Sequence, residues 1–228
     1  FDESKKYPVV MLQYSGPTSQ RVLNNWRKRF GYALADAGYL VVNVDGRGTG
    51  ARGREWRNAT YMQLGVKEAE DQISAAQYLK TLPYVDGDRM AICGWSYGGY
   101  QTLMCLSKQQ EMVWQCGIAI APVTSWRLYD SAYTERFMRT PKENGDGYAA
   151  SSAILRADKL HGSLLLIHGT ADDNVHFQNC AEYSEALVQA NKQFDMQIYT
   201  NRNHGIAGGN TRNHLMNRVA NFFMEEMK

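Results

Sequence analysis

The chain has 228 residues, of which 44% are hydrophobic and 21% charged, and its formal net charge is +2. This balance is typical of a folded globular domain and excludes an intrinsically disordered chain. The small net charge gives no electrostatic basis for nucleic-acid binding, and the densest basic run, residues 47–57, is broken by glycines and predicts a solvated loop. No apolar run is long enough to cross a membrane, and the length suits a single α/β domain.

The first part of the chain alternates short apolar runs with amphipathic segments. Residues 7–14 and 39–44 predict buried strands, and residues 24–37 between them carry apolar side chains at the helical spacings of three and four. A glycine-rich loop follows at 45–50, and residues 66–79 predict the next helix. The loop lacks the third glycine of a dinucleotide-binding fingerprint at the required offset, which argues against nucleotide binding.

Residues 90–100 predict a strand, a sharp turn and the start of a helix. Small and apolar residues lead into Gly-Trp-Ser-Tyr-Gly at 94–98, and a helix-compatible run occupies 100–106. A serine at such a turn is held in strained backbone above the sheet edge, and the flanking glycines leave room where a Cβ would collide with a neighbouring element. The motif predicts that Ser96 is a nucleophile; the alternative is a serine in an ordinary tight connection.

The second part of the chain continues the alternation. Residues 116–121, 164–169 and 194–199 predict strands, and residues 181–190 and 214–227 predict helices. Continuous apolar strands separated by helices are what a parallel sheet covered on both faces requires. The sequence therefore predicts an α/β fold with a mostly parallel, twisted sheet and helices on both faces.

An aromatic and polar segment interrupts this pattern between residues 123 and 148. Tyr129, Tyr133 and Phe137 are four residues apart and would share one face of a helix. Such a stripe predicts either a surface that packs on the core or the lining of a pocket near the C-terminal edge of the sheet.

Three candidate catalytic residues each follow a predicted strand. Serine is a poor nucleophile unless a base lies within hydrogen-bond reach and a third group orients that base. Ser96, Asp172 and His204 occur in the order nucleophile, acid and base, which is the order of the α/β-hydrolase fold. Loops at one edge of a parallel sheet can converge, so this order predicts a catalytic triad and acyl-transfer chemistry.

The other histidines and the cysteines suit catalysis less well. His168 ends an apolar strand and is predicted to be packed in the core, whereas His176 opens a helix. A metal site built from these two histidines and Asp172 would match no known ligand signature, so we predict neither a metal nor another cofactor. Cys93 and Cys105 lie at apolar positions of a strand and a helix, which predicts buried free thiols.

The tetrahedral intermediate of acyl transfer carries an oxyanion that needs hydrogen-bond donors. The backbone amide after the nucleophile, here that of Tyr97, is the usual first donor. Tyr14 lies at the end of the first predicted strand and could offer its hydroxyl as the second donor. From the sequence pattern alone, Tyr14 could equally be a simple strand-end aromatic residue.

Several motifs together resemble the prolyl oligopeptidase family of serine peptidases, and within it the dipeptidyl peptidase IV group. The matching segments lie in order along nearly the whole chain, at residues 14–17, 45–48, 94–100, 129–131, 168–177 and 204–206. The resemblance implies a single α/β-hydrolase catalytic domain over residues 1–228, with the N-terminal β-propeller of the family absent from this chain. It also implies that Ser96 is the nucleophile, Asp172 rather than Asp173 the orienting acid, and His204 the base.

The same resemblance implies the residues that surround the substrate. The Tyr14 hydroxyl and the Tyr97 amide would form the oxyanion hole, and Asn174 and Arg136 are similar to residues that meet a substrate carbonyl or neighbouring groups. A small apolar pocket would accept the penultimate proline or alanine, and its residues are Tyr97, Val123, Trp126, Tyr129, Tyr133 and Val175. An aromatic slot suits a pyrrolidine ring, which is apolar and rigid and has no amide N–H to satisfy.

The activity that this resemblance implies is release of X-Pro or X-Ala dipeptides from peptide N termini through an acyl-enzyme. The implied partners are a peptide with penultimate proline and a β-propeller whose paired glutamates bind the free amine, and a homodimer is compatible with the family. Two alternatives stay open: an acylaminoacyl peptidase or esterase of the same fold, and an inert hydrolase domain that serves as an interaction module.

Cysteine usage bears on the source of the chain. Cys116 matches a position that is disulfide-bonded in animal relatives, but the C-terminal segment 221–228 contains no cysteine. This difference favours a bacterial relative, for which we expect a periplasmic or cell-surface location.

Overall fold

The computed structural model describes residues 1–25, 30–109 and 111–228. Strands in these ranges form one sheet in the order β2-β1-β3-β4-β5-β6, and every neighbouring pair is parallel. The strands are β1 Tyr7–Leu12, β2 Leu40–Val42, β3 Val85–Trp95, β4 Cys116–Ile120, β5 Ser163–Gly169 and β6 Asp195–Tyr199. The predicted parallel sheet is confirmed.

Helices connect the strands, as parallel pairing requires. They are α1 Phe30–Asp36, α2 Arg54–Asn58, α3 Val66–Lys80, α4 Tyr97–Lys108, α5 Ser131–Met138, α6 Gly145–Ala150, α7 Gln178–Gln189 and α8 Thr211–Glu226. Short 3₁₀ turns lie at Trp126–Leu128 and Ile154–Lys159. This arrangement is the α/β-hydrolase fold. No helix in the described ranges is both long and apolar enough to span a membrane.

Two apolar cores cover the two faces of the sheet. Val9 and Met11 of β1 point into the core that contains α3, α4 and α7, whereas Val10 points into the core that contains α1 and α8. Successive strand residues face opposite sides, so a sheet buried on both sides needs apolar residues at consecutive positions. This is why the strands could be recognised as uninterrupted apolar runs.

Several element bounds differ from the prediction. β1 ends at Leu12 and not at residue 14, so Tyr14 lies in the loop beyond the strand. In the first helix, residues 24 and 25 are not helical, residues 26–29 lie outside the described residues, and the described helix is Phe30–Asp36. Part of the basic run predicted as a solvated loop forms α2. Gly53 precedes this helix as its N-cap residue and has a φ of 89°.

Tyr129 does not share a helix face with Tyr133 and Phe137, so that prediction is wrong. The Asp130 side chain accepts a hydrogen bond from the Tyr133 amide at 2.8 Å and caps α5, which begins at Ser131. Tyr129 precedes the cap in extended backbone. Its ring still contacts the ring of Tyr133, with centroids 5.3 Å apart, because the chain folds back at the cap.

The cysteines are buried free thiols, as predicted for Cys93 and Cys105. Among the residues that the structure describes, no group of three or more His, Cys, Asp or Glu side chains is arranged to hold a metal ion.

Candidate active site

Ser96 lies at the turn between β3 and α4, in the strand, turn and helix arrangement that the motif predicts. Its backbone has φ 60° and ψ −119°, in the left-handed half of conformational space that residues with a Cβ rarely occupy. The Ser96 amide donates to the Ile120 carbonyl at 2.8 Å, which ties the turn to the end of β4. The strained turn is therefore held by the neighbouring strand.

The glycines of the motif are required by close backbone contacts. A Cβ on Gly94 would collide with the carbonyl of Gly98, and a Cβ on Gly98 would lie 2.6 Å from the carbonyl oxygen of Gln13. Because Gly98 has no side chain, the loop after β1 rests directly on the first turn of α4. This contact places Tyr14, the next residue of that loop, beside the turn that carries Ser96.

Asp172 follows β5 and is almost completely buried. Its Oδ1 accepts hydrogen bonds from the amides of Asn174 at 3.0 Å and Val175 at 2.9 Å, and its Oδ2 accepts from Nδ1 of His204 at 2.7 Å. Burial alone would raise the pKa of Asp172, but bonds from His168, His204 and the Asn174 amide outweigh it and hold the pKa well below the usual range. The carboxylate is thus ionised and able to orient the His204 ring.

His204 lies in the loop after β6, and its backbone is fixed from two sides. The Trp95 indole N–H donates to the His204 carbonyl at 3.0 Å, and Arg212 donates to the Gly205 carbonyl at 2.6 Å. The Arg212 guanidinium also lies 4.9 Å from the centre of the Trp95 ring. With Nδ1 donating to the buried carboxylate, Nε2 is the ring nitrogen available as a base.

The acid and the base are brought together, but no hydrogen bond between the Ser96 hydroxyl and the His204 ring is found in the described residues. Such bonds are often long before substrate binds and shorten in the reacting complex. Ser96 is partly exposed and the His204 side chain is 22% exposed, so both groups are accessible to a substrate.

The residues predicted to form the apolar pocket lie in one cluster next to Ser96. The Trp126 ring is at its centre, with ring centroids 5.4 Å from Tyr97, 5.9 Å from Tyr129 and 5.9 Å from Tyr133. Val123 and Val175 belong to the same apolar core and are buried. These side chains can surround a small apolar group.

The Tyr14 ring is near this cluster, with its centroid 6.0 Å from that of Tyr97. The Arg21 guanidinium lies 4.6 Å from the centre of the Tyr14 ring. Burial raises the pKa of Tyr14, and the charge of Arg21 only partly opposes this effect. The Tyr14 hydroxyl is therefore protonated at neutral pH and can donate a hydrogen bond.

Asn174 and Arg136, the two residues predicted to meet the substrate backbone, differ in their surroundings. Asn174 Oδ1 accepts a hydrogen bond from the Tyr129 hydroxyl at 2.7 Å, and both residues line a groove of ≈ 610 Å³. Arg136 is exposed on α5, and its side chain forms no hydrogen bond or ion pair with the described residues. Its contact with substrate stays a prediction.

His168 has a role that its sequence context did not indicate. It is fully buried, as expected of a core residue, but Nε2 donates to the Val175 carbonyl at 2.8 Å and lies 3.3 Å from Oδ2 of Asp172. Because a carbonyl only accepts, the Val175 contact fixes the proton on Nε2. His168 thus links the predicted acid of the triad to Val175, one of the residues predicted to line the apolar pocket. Its position four residues before the acid was the available sequence signal.

The chain is similar to known proteins over nearly its whole length. The sequence matches the prolyl oligopeptidase family over residues 26–228. It is 44% identical over 229 residues to dipeptidyl peptidase 4 of Felis catus, covering 99% of this chain and 30% of the relative. It is 45% identical over 228 residues to the probable dipeptidyl-aminopeptidase B of Grosmannia clavigera, covering 98% of this chain and 23% of the relative.

A solved structure is similar to this chain over nearly its whole length. The crystal structure of Porphyromonas gingivalis dipeptidyl peptidase 4 superimposes with a TM-score of 0.97 at 58% identity, covering 99% of this chain and 32% of that one. A bacterial origin, expected from the sequence, fits this similarity. The chain therefore spans about a quarter to a third of the length of these relatives. The extent of the family match and of the identity shows that the chain belongs to the prolyl oligopeptidase family.

Proposed function

We propose that the protein is a serine exopeptidase that releases X-Pro or X-Ala dipeptides from peptide N termini through an acyl-enzyme at Ser96. The observation that carries the proposal is the loop after β5. It supplies both Asp172, which bonds His204 at 2.7 Å, and Val175, which lines the aromatic pocket beside Ser96. One short segment thus connects acyl-transfer chemistry to a slot for a small apolar side chain.

In the proposed reaction, His204 Nε2 takes the Ser96 proton as Oγ attacks the carbonyl carbon of the penultimate residue. Asp172 stabilises the imidazolium, and the Tyr97 amide and Tyr14 hydroxyl donate to the oxyanion. The tetrahedral intermediate collapses as His204 gives its proton to the leaving amine, and the dipeptide stays bonded to Oγ. His204 then takes a proton from water, whose oxygen attacks the ester carbonyl carbon. The bond to Oγ breaks, His204 returns the proton to Oγ, and the dipeptide is freed.

The names of the relatives support the dipeptidyl specificity. Dipeptidyl peptidase 4 and dipeptidyl-aminopeptidase B are the names of proteins that match nearly all of this chain. The groove shared by Tyr129 and Asn174 gives the residue before the proline a place next to the pocket. The Asn174 amide N–H₂ can donate to that residue's carbonyl oxygen.

Partners and location belong to the same proposal. The peptide substrate is supported by membership of a peptidase family. We propose that a β-propeller with amine-binding glutamates completes the site, and the greater length of the relatives leaves room for such a domain. We further propose a periplasmic or cell-surface location and a homodimer, which fractionation of the source cells and sedimentation of the whole protein would test.

The proposal is tested with chromogenic anilides of Gly-Pro and of acetyl-alanine. We expect the whole protein to cleave the Gly-Pro substrate with a much higher kcat/KM than the acetyl-alanine substrate. Preference for acetyl-alanine would instead support an acylaminoacyl peptidase, and failure to cleave either substrate or a simple ester would support an inert interaction module.

We expect Tyr14→Phe to lower kcat for Gly-Pro anilide by about a hundred- to a thousandfold, as removal of one oxyanion donor does. KM should change little, because the donor acts on charge that develops in the transition state. Tyr61→Phe, at an exposed tyrosine, is the matched control. Full activity in Tyr14→Phe would remove Tyr14 from the oxyanion hole.

We expect His168→Phe to lower kcat/KM for Gly-Pro anilide by about ten- to a hundredfold, the range for leaving buried partners unpaired. The Val175 carbonyl loses its donor, and Asp172 loses a neighbour that keeps it ionised, so the low-pH limb of the activity profile should also change. His168→Gln offers an N–H in a similar place and should recover part of the loss. His161→Phe, at an exposed histidine, is the control, and a folded His168→Phe variant with an unchanged pH profile would contradict the role.

A further inference from the structure

A buried carboxyl group lies directly behind the apolar pocket. Glu68, in the first turn of α3, is completely buried, and its Oε1 accepts a hydrogen bond from the Tyr97 hydroxyl at 2.7 Å. Its Oε2 is also buried and has no hydrogen-bond partner among the described residues. Burial raises the pKa of Glu68 to about 7, although bonds from Tyr97 and from the backbone of Glu68 and Gly65 oppose the shift.

Such a group is costly to keep in the core. A buried carboxyl is unfavourable unless it is well paired, and a side chain of similar size without charge would avoid the cost. The amphipathic pattern of α3 does not require it, because Ala69 and Ala76 on the buried side of the helix make apolar contacts. A costly polar group next to a pocket is often retained for function.

Tyr97, whose hydroxyl bonds to Glu68, has two functions in the proposed site. The Tyr97 amide is the expected oxyanion donor, and the Tyr97 ring is part of the pocket. The ring packs against Trp126 and Tyr100 with centroid distances of 5.4 Å in both cases. These apolar contacts restrict the ring from the sides, whereas the bond to Glu68 is the one polar contact that the described residues make with its hydroxyl.

Tyr100, whose ring packs against that of Tyr97, is itself held by polar contacts. Its hydroxyl lies 2.8 Å from the Leu64 carbonyl and 2.7 Å from the Ser151 carbonyl. Gly65, which begins α3 with a φ of 77°, leaves space for that hydroxyl because a Cβ there would collide with it. The start of α3 therefore fixes the hydroxyl end of the pocket residue Tyr97 and that of Tyr100, which packs against it.

We propose that Glu68 is a positioning residue that sets the preference of the pocket for proline over alanine by holding the Tyr97 ring in place. This inference rests on the proposed function. A pyrrolidine ring presents a broad apolar face to Tyr97, so its binding depends on where that ring lies. An alanine methyl group reaches less of the pocket wall and depends on it less.

The test compares kcat/KM for Gly-Pro and Gly-Ala p-nitroanilides in variants of the whole protein. Glu68→Leu leaves the Tyr97 hydroxyl without an acceptor. We expect it to lower kcat/KM for Gly-Pro by about ten- to a hundredfold, the usual range for an unpaired buried polar group, and to lower kcat/KM for Gly-Ala much less. Glu68→Gln keeps an acceptor oxygen and should keep the wild-type ratio. Glu70→Leu, at an exposed glutamate of the same helix, is the matched control.

Tyr97→Phe tests the same bond from the other partner. It should also lower the ratio of kcat/KM for Gly-Pro to kcat/KM for Gly-Ala. Adding Glu68→Leu to Tyr97→Phe should lower the ratio little further, because both substitutions remove the same interaction. If Glu68→Leu does not fold, the ratio of the two kcat/KM values in Tyr97→Phe decides the test by itself. An equal fall for both substrates, additive effects of the two substitutions, or an unchanged ratio would overturn the inference.

These outcomes are separate from a failure of the proposed function. A wild-type protein that shows no preference for Gly-Pro over Gly-Ala and acetyl-alanine substrates would overturn the dipeptidyl peptidase proposal itself. A wild-type protein that prefers Gly-Pro, with a ratio that Glu68→Leu and Tyr97→Phe leave unchanged, would overturn the role of Glu68 alone.

Discussion

Replacement of Ser96 by alanine is expected to lower kcat for Gly-Pro anilide by about a millionfold, the loss found when a triad serine is removed. Without Oγ no acyl-enzyme can form, and the fixed His204 and Asp172 have no hydroxyl to activate. Residual hydrolysis would come from substrate binding and the oxyanion donors acting on water. Steady-state kinetics of the purified variant measures the loss.

The fold of this variant can be checked independently of its activity. Ser96→Ala leaves the pocket side chains untouched, so it should bind a Gly-Pro peptide with near wild-type affinity in calorimetry. Ser74→Ala, at a serine on α3 whose hydroxyl bonds to the Glu70 carbonyl, should keep full activity. Retention of even a hundredth of wild-type kcat in pure Ser96→Ala would contradict the nucleophile assignment.

Asp172→Asn is expected to lower kcat by about ten-thousandfold, because the wrong histidine tautomer is stabilised. Oδ1 of Asp172 receives two backbone amides, from Asn174 and Val175, so the asparagine must place its carbonyl oxygen there. Its NH₂ group then faces Nδ1 of His204, where the carboxylate oxygen accepts a hydrogen bond at 2.7 Å. Nδ1 must become the acceptor, Nε2 carries the proton, and the base can no longer take the proton of Ser96.

The next residue along the chain provides the control for this substitution. Asp173 is exposed, and Asp173→Asn should have nearly wild-type kcat. The tautomer explanation also predicts that the activity of Asp172→Asn rises at high pH, where hydroxide can take the Ser96 proton in place of His204. Equal losses in the two variants would contradict the assignment of Asp172 as the orienting acid.

The strands and the turn at Ser96 could be predicted because their signals are local. Residues 116–121 and 164–167 are uninterrupted apolar runs, and both correspond to buried strands of the sheet. The turn at Ser96 is recognisable because Gly94 and Gly98 have no side chains where other backbone approaches. The parallel arrangement then follows, since each strand is joined to the next by a helix.

What the sequence could not indicate depends on contacts between distant segments. His168 resembles an ordinary core residue until the loop after β5 turns back and brings Asp172 and Val175 to its Nε2. Glu68 lies among charged residues of α3 and resembles part of a solvated face, but packing of α3 on α4 buries it against Tyr97. Tyr129 fits helical spacing, yet the cap formed by Asp130 excludes it from α5.

The central claim is that Ser96 is an activated nucleophile, and covalent labelling tests it most directly. A fluorophosphonate is incubated with the whole folded protein, and the modified residue is located by mass spectrometry of its peptides. We predict a single phosphonylated site at Ser96, with no such adduct in Ser96→Ala. Absence of label from Ser96, or a label of equal extent on another serine, would contradict the account.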